Sequence, residues 1–250
     1  MSEIGQDKFS ESAFWDKVST QRVYAAFDDE EYNEVFDRAL PGDLSGTKII
    51  DVGSASGVSA ALLAARGAKV MGIDLSPALV DQARELWKDF AERISFKVGD
   101  AESLDETEAS VDVAFFGGVL HHFPERENVC REAFRVIRPG GKFVAIEPNL
   151  RDFLERIEWE VARWRGKLTP NEEPIDPYHM QQELEAAGFT QVRFWTTRHD
   201  IPVLAQFPIL HHFFSRRKGF WIKSPLLAVI NAPRQPESRG TFFVIEAQRP

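Results

Sequence analysis

Hydrophobic and polar positions follow two different periods between residues 48 and 146. Short apolar runs typical of buried strands occur at five places, and apolar or amphipathic stretches of helical length lie between them. The strands are predicted at 48–50, 68–74, 94–98, 111–116 and 142–146, and three intervening helices at 58–66, 77–92 and 124–137. Strands that alternate with helices in this way predict an α/β fold, a doubly wound and mostly parallel sheet with right-handed crossovers.

The regions on either side of this alternation are mostly helical in pattern. Helices are predicted at 10–18 and 24–39 before it, and at 150–167 and 178–187 after it. Two further strands are expected at 192–197 and 240–247. The pattern divides the chain into an N-terminal helical lid (1–45), a ligand-binding core (46–149), and a lid insertion with C-terminal strands that complete the same domain (150–250).

A glycine-rich turn joins the first predicted strand to the helix that follows it. The turn reads Asp51-Val-Gly53-Ser54-Ala55-Ser-Gly57. Glycines allow a tight turn and a close approach of the backbone to a ligand, and the start of the helix offers free N–H groups. Such turns also occur in proteins that bind nothing there, so the turn alone leaves ligand binding open.

Acidic residues follow the next two strands. Asp74 ends the second strand, 23 residues after Asp51, and Gly99-Asp100-Ala101 follows the third. At the tip of a parallel strand, a carboxylate is placed to accept hydrogen bonds from a ribose diol. Asp74 could instead help to cap the next helix, in which Ser76 is the expected cap and Pro77 the first residue. The two roles are compatible.

The ordered set of motifs resembles the class I S-adenosylmethionine-dependent methyltransferases. The segments are DVGSASG, VMGID, KVGDA, VDVAFFGGVLHHF and RVIRPGGKFVAIEPN, and the similarity is greatest to the small-molecule, type 11-like group. The resemblance implies a Rossmann-like sheet whose last strand is antiparallel, N-terminal helices that fold over the cofactor, and a variable lid after the fifth strand. Tyr24 or Trp15 of the N-terminal helices could then line the pocket, and packing of these aromatic side chains on the sheet is the alternative. The resemblance also implies S-adenosyl-L-methionine as the cofactor.

The resemblance assigns a role to each matching residue. Asp51 holds the ammonium group of the cofactor, and the turn of Gly53, Ser54, Ala55 and Gly57 lies against it. Asp74 binds the ribose hydroxyls with Leu75 beside the adenine, Asp100 and Ala101 read the adenine edge, and Gly117 lies near the methionine end. Ala55 departs from the family pattern, because a glycine is usual there. An alanine at that position is costly if the turn needs a positive φ angle.

The candidate catalytic residues follow the fourth and fifth strands. A sulfonium methyl group is already activated, so the protein mainly has to align donor and acceptor, but a hydroxyl acceptor would benefit from a base. We expect His121 to face the site, with His122 packing locally, and Glu147 is a second candidate. A structural role is the alternative for each. His179, His199, His211 and His212 cannot be ranked, and we predict no metal.

Composition narrows the possible partners. The 250-residue chain carries a net charge of −9 with a pI near 5.3, which argues against nucleic acid as a substrate. Its single cysteine, Cys130, excludes an internal disulfide framework and is expected to be buried. The polar start MSEIGQDKFS is unlike a secretory signal, and no apolar run is long enough for a membrane span, so a cytoplasmic location is expected.

Aromatic and basic residues are interleaved between residues 201 and 230. Phe213 and Phe214 precede Arg216-Arg217-Lys218, and Phe220 and Trp221 follow. The segment is interpreted as a lid that packs on the sheet with a solvated basic turn. The alternative is a peripheral contact with a membrane surface or a lipid-like substrate, which would favour a hydrophobic or acidic small-molecule acceptor. The oligomeric state stays open.

Three functions therefore remain in view. The favoured one is methyl transfer to a small organic acceptor, at oxygen rather than at nitrogen or carbon. A nicotinamide-dependent oxidoreductase on the same type of sheet is the second. The third is a protein that binds S-adenosylmethionine without catalysing methyl transfer, which the uncertain base and Ala55 keep open.

Overall fold

The computed structural model describes residues 8–19, 36–37, 39–40, 42–169, 171–197, 240 and 242–250. Most of the segment predicted to be helical at 24–39, including Tyr24, lies outside the described residues. The whole aromatic and basic segment at 201–230 lies outside them as well, as do His199, His211 and His212.

Seven strands form one sheet in the order β3-β2-β1-β4-β5-β7-β6. Their bounds are β1 Lys48–Val52, β2 Lys69–Asp74, β3 Ile94–Val98, β4 Val111–Gly117, β5 Ile137–Pro148, β6 Thr190–Thr197 and β7 Phe242–Gln248. Strands β1 to β5 are parallel, and β7 runs antiparallel to both β5 and β6. The predicted doubly wound sheet with an antiparallel last strand is confirmed.

Six α-helices have both of their ends among the described residues. They are α1 Lys8–Ser19, α2 Val58–Ala65, α3 Pro77–Leu86, α4 Glu127–Val136, α5 Phe153–Trp164 and α6 Pro177–Ala186. Residues of α4 and α6 pack on one face of the sheet, and residues of α2 and α3, with Phe36 and Leu40, pack on the other. Because both faces are covered, the central strands are apolar in consecutive positions, as in the fully buried Phe115 and Phe116 of β4.

Several predicted boundaries shift in the structure. Helix α3 ends at Leu86 instead of Glu92, and a short 3-10 turn at Lys88–Phe90 follows, while the Trp87 indole donates to the Ser56 carbonyl at 2.7 Å. Helix α4 begins at Glu127, three residues later than predicted. Strand β5 begins at Ile137, because the expected turn is a bulge within the strand, with Gly140 at φ 79° and a register shift opposite Val111 and Val113.

Cys130 is buried in α4, as expected. Burial raises the pKa of its thiol to about 12, so the thiol stays protonated and acts as a small apolar side chain. Among the described helices, none has the length and apolarity needed to cross a membrane.

Candidate active site

The strand order reverses between the neighbouring strands β1 and β4, and a cavity of 360 Å³ lies at the carboxyl ends of these two strands. A crevice at such a switch point is where open α/β sheets bind ligands. Eight of the ten predicted cofactor residues line the cavity, namely Gly53, Ser54, Ala55, Asp74, Leu75, Asp100, Ala101 and Gly117. The exceptions are Asp51 and Gly57, which are buried and do not line the cavity.

The turn after β1 needs positive φ angles at three positions. They are Gly53 at φ 71°, Ala55 at 45° and Gly57 at 81°. A Cβ atom on Gly53 would lie 2.4 Å from Val119 Cγ2, in the loop after β4, so glycine also permits close contact between the two loops. Ala55 therefore has the left-handed backbone conformation, which we expected to be costly for a residue other than glycine.

Asp74 organises the turn through its carboxylate. Oδ2 accepts a hydrogen bond from the Ala55 N–H at 2.8 Å, and Oδ1 accepts one from the Ser76 N–H at 2.9 Å. Ser76 in turn caps α3 by accepting from the Leu79 N–H at 3.1 Å. Capping by Ser76 and exposure of Asp74 to the cavity therefore occur together. Burial raises the pKa of Asp74, although both backbone N–H groups lower it.

Asp51 is almost fully buried, with an exposed fraction of 1%. Neither carboxylate oxygen has a hydrogen-bond partner among the described residues, and the Ala60 N–H faces the group without reaching hydrogen-bond geometry. Burial, followed by the charge of Asp74, raises the pKa of Asp51 to about 8. A buried acid with no partner is the kind of group that a nearby cation would stabilise.

Asp100 meets helix α1 at the far end of the cavity. The Lys8 ammonium lies 2.5 Å from Asp100 Oδ2 and 2.7 Å from Glu102 Oε2. Asp100 Oδ1 accepts a hydrogen bond from the Glu102 N–H at 2.9 Å. Helix α1 therefore reaches the residues that the resemblance assigns to adenine, and this ion pair would have to rearrange if the carboxylate bound an adenine amine.

Glu147, near the end of β5, binds the loop that follows β4. This fully buried carboxylate accepts hydrogen bonds from the Val119 and Leu120 N–H groups at 2.9 and 2.7 Å, and its other oxygen lies 2.8 Å from His121 Nδ1. The far side of His121 packs edge-on against Trp159, with ring centroids 5.4 Å apart. Neither His121 nor Glu147 lines the cavity.

Of the two adjacent histidines, His122 lines the cavity, beside Glu11 and Trp15 of α1. Its Nδ1 lies 3.5 Å from Glu11 Oε2 and 3.7 Å from Glu172 Oε1. Burial alone would lower the pKa of His122, but the contact with Glu11 and the charges of Glu172 and Glu147 raise it above the usual value. The expected orientation of the pair is thus reversed, since His121 packs locally and His122 faces the cavity.

Sequence reasoning identified Trp15 as a pocket residue but missed Glu11, Thr169 and Glu172. Glu11 lies 158 positions before Thr169, and none of the three residues belongs to a recognisable motif, so only the fold brings Glu11 to the other two.

One group of side chains has a spacing that a metal ion could use. Ligand atoms of His121, His122 and Glu172 lie within 4.8 Å of one another. Nδ1 of His121 is already bonded to Glu147, and Oε1 of Glu172 accepts the Thr169 N–H at 2.8 Å. Other protein groups therefore already bind two of these ligand atoms. That the site contains no metal stays a prediction.

Comparison with known proteins places this geometry in a family. A family model described as a methyltransferase domain matches residues 50–145. A probable S-adenosylmethionine-dependent methyltransferase from Mycolicibacterium smegmatis is 28% identical over 179 residues, which cover 70% of this chain and 62% of that protein. The chain thus spans less than two thirds of the length of this relative.

Two further proteins extend the comparison. A ubiquinone biosynthesis O-methyltransferase from Xanthomonas oryzae pv. oryzae is 32% identical over 167 residues, which cover 66% of this chain and 69% of that protein. The structure of phosphoethanolamine N-methyltransferase 2 from Haemonchus contortus aligns with a TM-score of 0.67 at 16% identity, covering 98% of this chain and 60% of that chain. At that identity, the structural likeness shows the shared fold alone. The match to the methyltransferase domain and to the Xanthomonas enzyme shows that the chain belongs to the S-adenosylmethionine-dependent methyltransferases.

Proposed function

We propose that the protein transfers the methyl group of S-adenosylmethionine to a small organic acceptor, and that the acceptor atom is oxygen rather than nitrogen or carbon. The observation that supports this most directly is the cavity at the switch point. One end of it carries the strand-tip acids Asp74 and Asp100, and the other end carries His122 beside two carboxylates. The proposal includes a cytoplasmic location, as the composition led us to expect.

The residues at the first end suit the cofactor. Asp74 lines the cavity with a carboxylate that would bind the ribose hydroxyls, and Asp100 and Ala101 line it with a carboxylate and a backbone N–H that would bind the adenine edge. The buried Asp51, unpartnered among the described residues, suits a group beside a cationic amine. The bound cofactor supplies an activated methyl group on a sulfonium centre.

The residues at the second end would align the acceptor and take its proton. Because His122 Nδ1 faces Glu11 and Glu172, an acceptor hydroxyl would have to approach Nε2. As the acceptor oxygen forms its bond to the methyl carbon, the carbon–sulfur bond breaks and the hydroxyl proton passes to Nε2. The two carboxylates then stabilise the imidazolium that results.

Two features favour an oxygen acceptor of apolar character. A hydroxyl must lose its proton during transfer, and His122 is placed to receive it, whereas a neutral amine has no such need. Trp15, Val119 and Phe123 supply apolar walls near His122. The carboxylates of Glu11 and Glu172 disfavour a negative charge close to the reacting atom, so we favour a hydrophobic acceptor over an acidic one. The Xanthomonas relative is named as an O-methyltransferase, which agrees with this choice.

The alternatives differ in what they bind and release. Membership of the methyltransferase family disfavours the nicotinamide-dependent oxidoreductase. A protein that binds S-adenosylmethionine without methyl transfer is the second candidate, and the strained Ala55 in the cofactor turn is the observation that keeps it in view.

Calorimetric titration with S-adenosylmethionine, S-adenosylhomocysteine and NAD(H) tests the cofactor directly. We expect micromolar binding of the first two and at least a hundredfold weaker binding in Asp74→Ala. Asp81→Ala is the matched control, because Asp81 lies on the exposed side of α3 with a side-chain exposure of 74%. Binding of NAD(H) alone would refute the proposal.

An acceptor screen then separates transfer from binding. S-adenosylhomocysteine release is measured with phenols, aliphatic alcohols and amines, each in apolar and carboxylated forms. Release with an apolar hydroxyl compound supports the proposal, and release with amines alone would overturn the choice of oxygen.

A further inference from the structure

The surroundings of His122 contain a contact that the cofactor motifs do not include. Glu11 lies on α1, more than 100 residues from His122 in sequence, yet the residue is buried at the end of the cavity that carries His122, which is the proposed acceptor end. Its exposure of 3% is unusual for a glutamate, which is seldom fully buried unless it is paired. Such a position calls for a specific partner.

Two neighbours hold the Glu11 carboxylate in place. The Thr169 hydroxyl donates to Oε1 at 2.5 Å, and the Trp15 indole N–H donates to Oε2 at 3.3 Å. Oε2 is also the atom that lies 3.5 Å from His122 Nδ1. The contacts with Thr169 and Trp15 leave Glu11 aimed at the imidazole ring.

Helix α1 contacts His122 at two points one turn apart. Glu11 faces Nδ1, and the Trp15 ring packs edge-on against the imidazole at 5.5 Å between centroids and 79° between planes. Residues four apart lie on one face of a helix, so a single docked helix supplies both contacts. The ring is therefore held by a carboxylate and by an indole from the same element.

We propose that Glu11 is a positioning residue that α1 brings to His122, so that the proton acceptor of the methyl-transfer site is assembled only when α1 is docked over the cavity. The inference rests on the proposed methyl transfer. It deepens that function by making the base depend on an element outside the cofactor-binding motifs. Glu11 and Trp15 of the docked helix line the cavity, and the same helix orients His122.

Docking of α1 also depends on contacts that do not involve His122. Lys8 pairs with Asp100 and Glu102 at one end of the helix. At the other end, the Ser76 hydroxyl donates to Asp16 Oδ1 at 2.5 Å. Asp16 therefore offers a matched control, a carboxylate on the same helix that supports docking and does not face the imidazole.

The electrostatics make the contact measurable. Charged and titratable groups face His122 from four elements and from its own loop, namely Glu11 of α1, Glu172 of the segment after α5, Glu147 of β5, Asp74 of β2 and the neighbouring His121. Each carboxylate favours the protonated ring. Removing the charge of Glu11 should therefore lower the pKa of His122, whereas general loosening of the fold would blur all histidine titrations.

The test is a histidine-ring NMR titration of the full chain bound to S-adenosylhomocysteine. The chain has six histidines, and the signal absent from His122→Asn identifies the ring of interest. We expect Glu11→Gln to lower the titration midpoint of His122 by about one pH unit, and Asp16→Asn to leave it near the wild-type value. An unchanged midpoint in Glu11→Gln, or an equal decrease in Asp16→Asn, would overturn the role assigned to Glu11.

A second variant covers the case in which Glu11→Gln does not fold. Glu11→Asp keeps the charge but shortens the side chain. The titration midpoint of His122 in this variant should therefore fall between the midpoints of the wild type and of Glu11→Gln. A folded Glu11→Asp variant with the wild-type midpoint would also overturn the inference. Calorimetry on the same samples separates the two proposals. If the wild type fails to bind S-adenosylhomocysteine, the proposed function fails, whereas binding with an unshifted His122 refutes only the role of Glu11.

Discussion

The two ends of the cavity are built in different ways. We call them the cofactor end, which carries Asp74 and Asp100, and the acceptor end, which carries His122, after the roles proposed for them. The cofactor end comes from strand tips and turns that are close in sequence, and backbone groups hold it together. The N–H groups of Gly53 and Ser54 both donate to the Ile73 carbonyl, at 2.8 and 2.9 Å, and the Ala55 N–H donates to Asp74. The geometry of this end is therefore largely a property of the β1-to-β2 unit itself.

The acceptor end depends on side chains that are distant in sequence. Thr169 and Glu11, which meet beside His122, are 158 positions apart, and Glu147 supports the histidine loop from a different strand. Local sequence can thus specify a cofactor site, whereas an acceptor site assembled in this way can change with any of several elements. Four substitutions test how separate the two ends are.

The largest effect is expected where the two ends touch. Gly53→Ala would place a Cβ atom 2.4 Å from Val119 at a φ of 71°, which combines overpacking with left-handed strain. We expect a loss of about 4 kcal/mol in the free energy of unfolding, measured by urea denaturation. Gly42→Ala separates overpacking from backbone strain, because Gly42 has a φ of 81° but no atom lies within 4 Å of the added Cβ. Equal losses in the two variants would contradict contact between the ends.

Removal of the buried carboxylate at the acceptor end should have the next largest effect. Glu147→Ala leaves the Val119 and Leu120 N–H groups without their acceptor, and we expect a loss of about 3 kcal/mol in unfolding free energy. Glu147→Gln retains one oxygen acceptor and should lose clearly less. Binding of S-adenosylhomocysteine should weaken only slightly in Glu147→Gln. A strong loss there would mean that the two ends are not independent.

The third prediction concerns pH and the buried acid at the cofactor end. The pKa of Asp51 is raised by burial to about 8, so folding favours its protonated form. Stability from this group is fully present below the unfolded-state pKa and is lost as the pH rises towards the folded value. Between about pH 5.5 and pH 7 the wild type should lose about 2 kcal/mol more than Asp51→Asn.

Glu155, at the start of α5, provides the comparison for this pH effect. Burial also raises its pKa to about 8, and its Oε1 accepts the Trp159 indole N–H at 2.8 Å. Glu155→Gln should flatten the stability profile as Asp51→Asn does, but only Asp51→Asn should weaken binding of S-adenosylmethionine. Chemical denaturation across pH and calorimetry measure the two effects, and parallel profiles for Asp51→Asn and the wild type would refute the buried neutral state of Asp51.

The smallest effect should come from relief of backbone strain at the cofactor turn. Ala55→Gly removes a Cβ atom at a φ of 45°, and we expect a gain of about 1 kcal/mol in unfolding free energy. Ala109→Gly, at a φ of 54° on the exposed surface, should give a similar gain. Only Ala55→Gly should change the affinity for S-adenosylmethionine, and destabilisation in both variants would show that the angles are not strained.

The parts of the site that the sequence predicted are those that belong to local motifs at the ends of strands. Asp74, Asp100 and the glycine-rich turn each end or follow a strand, and the carboxyl ends of parallel strands necessarily meet at one edge of the sheet. Their placement around one cavity follows from strand order alone. Residues such as Glu11 and Glu172 are in no comparable pattern, because charged residues on helices and loops usually face solvent.

Orientation within a short turn was harder to predict than position. His121 and His122 are adjacent, and both were correctly placed beyond the tip of β4. Which ring faces the cavity depends on the 3-10 turn Leu120–His122 and on Glu147, which binds the first ring from β5. A pattern of residue types carries no information about that choice, since either histidine could have met the carboxylate.

The sequence by itself determined the alternating strands and helices, the parallel sheet and the acids at its ligand edge, because these follow from hydrophobic periodicity and local turn chemistry. Only the tertiary structure decided that Asp51 is buried, that His122 faces the cavity, and that Glu11 and Thr169 meet beside it. Those outcomes depend on packing between elements distant in the chain, and the energy of such contacts exists only once the fold has brought them together.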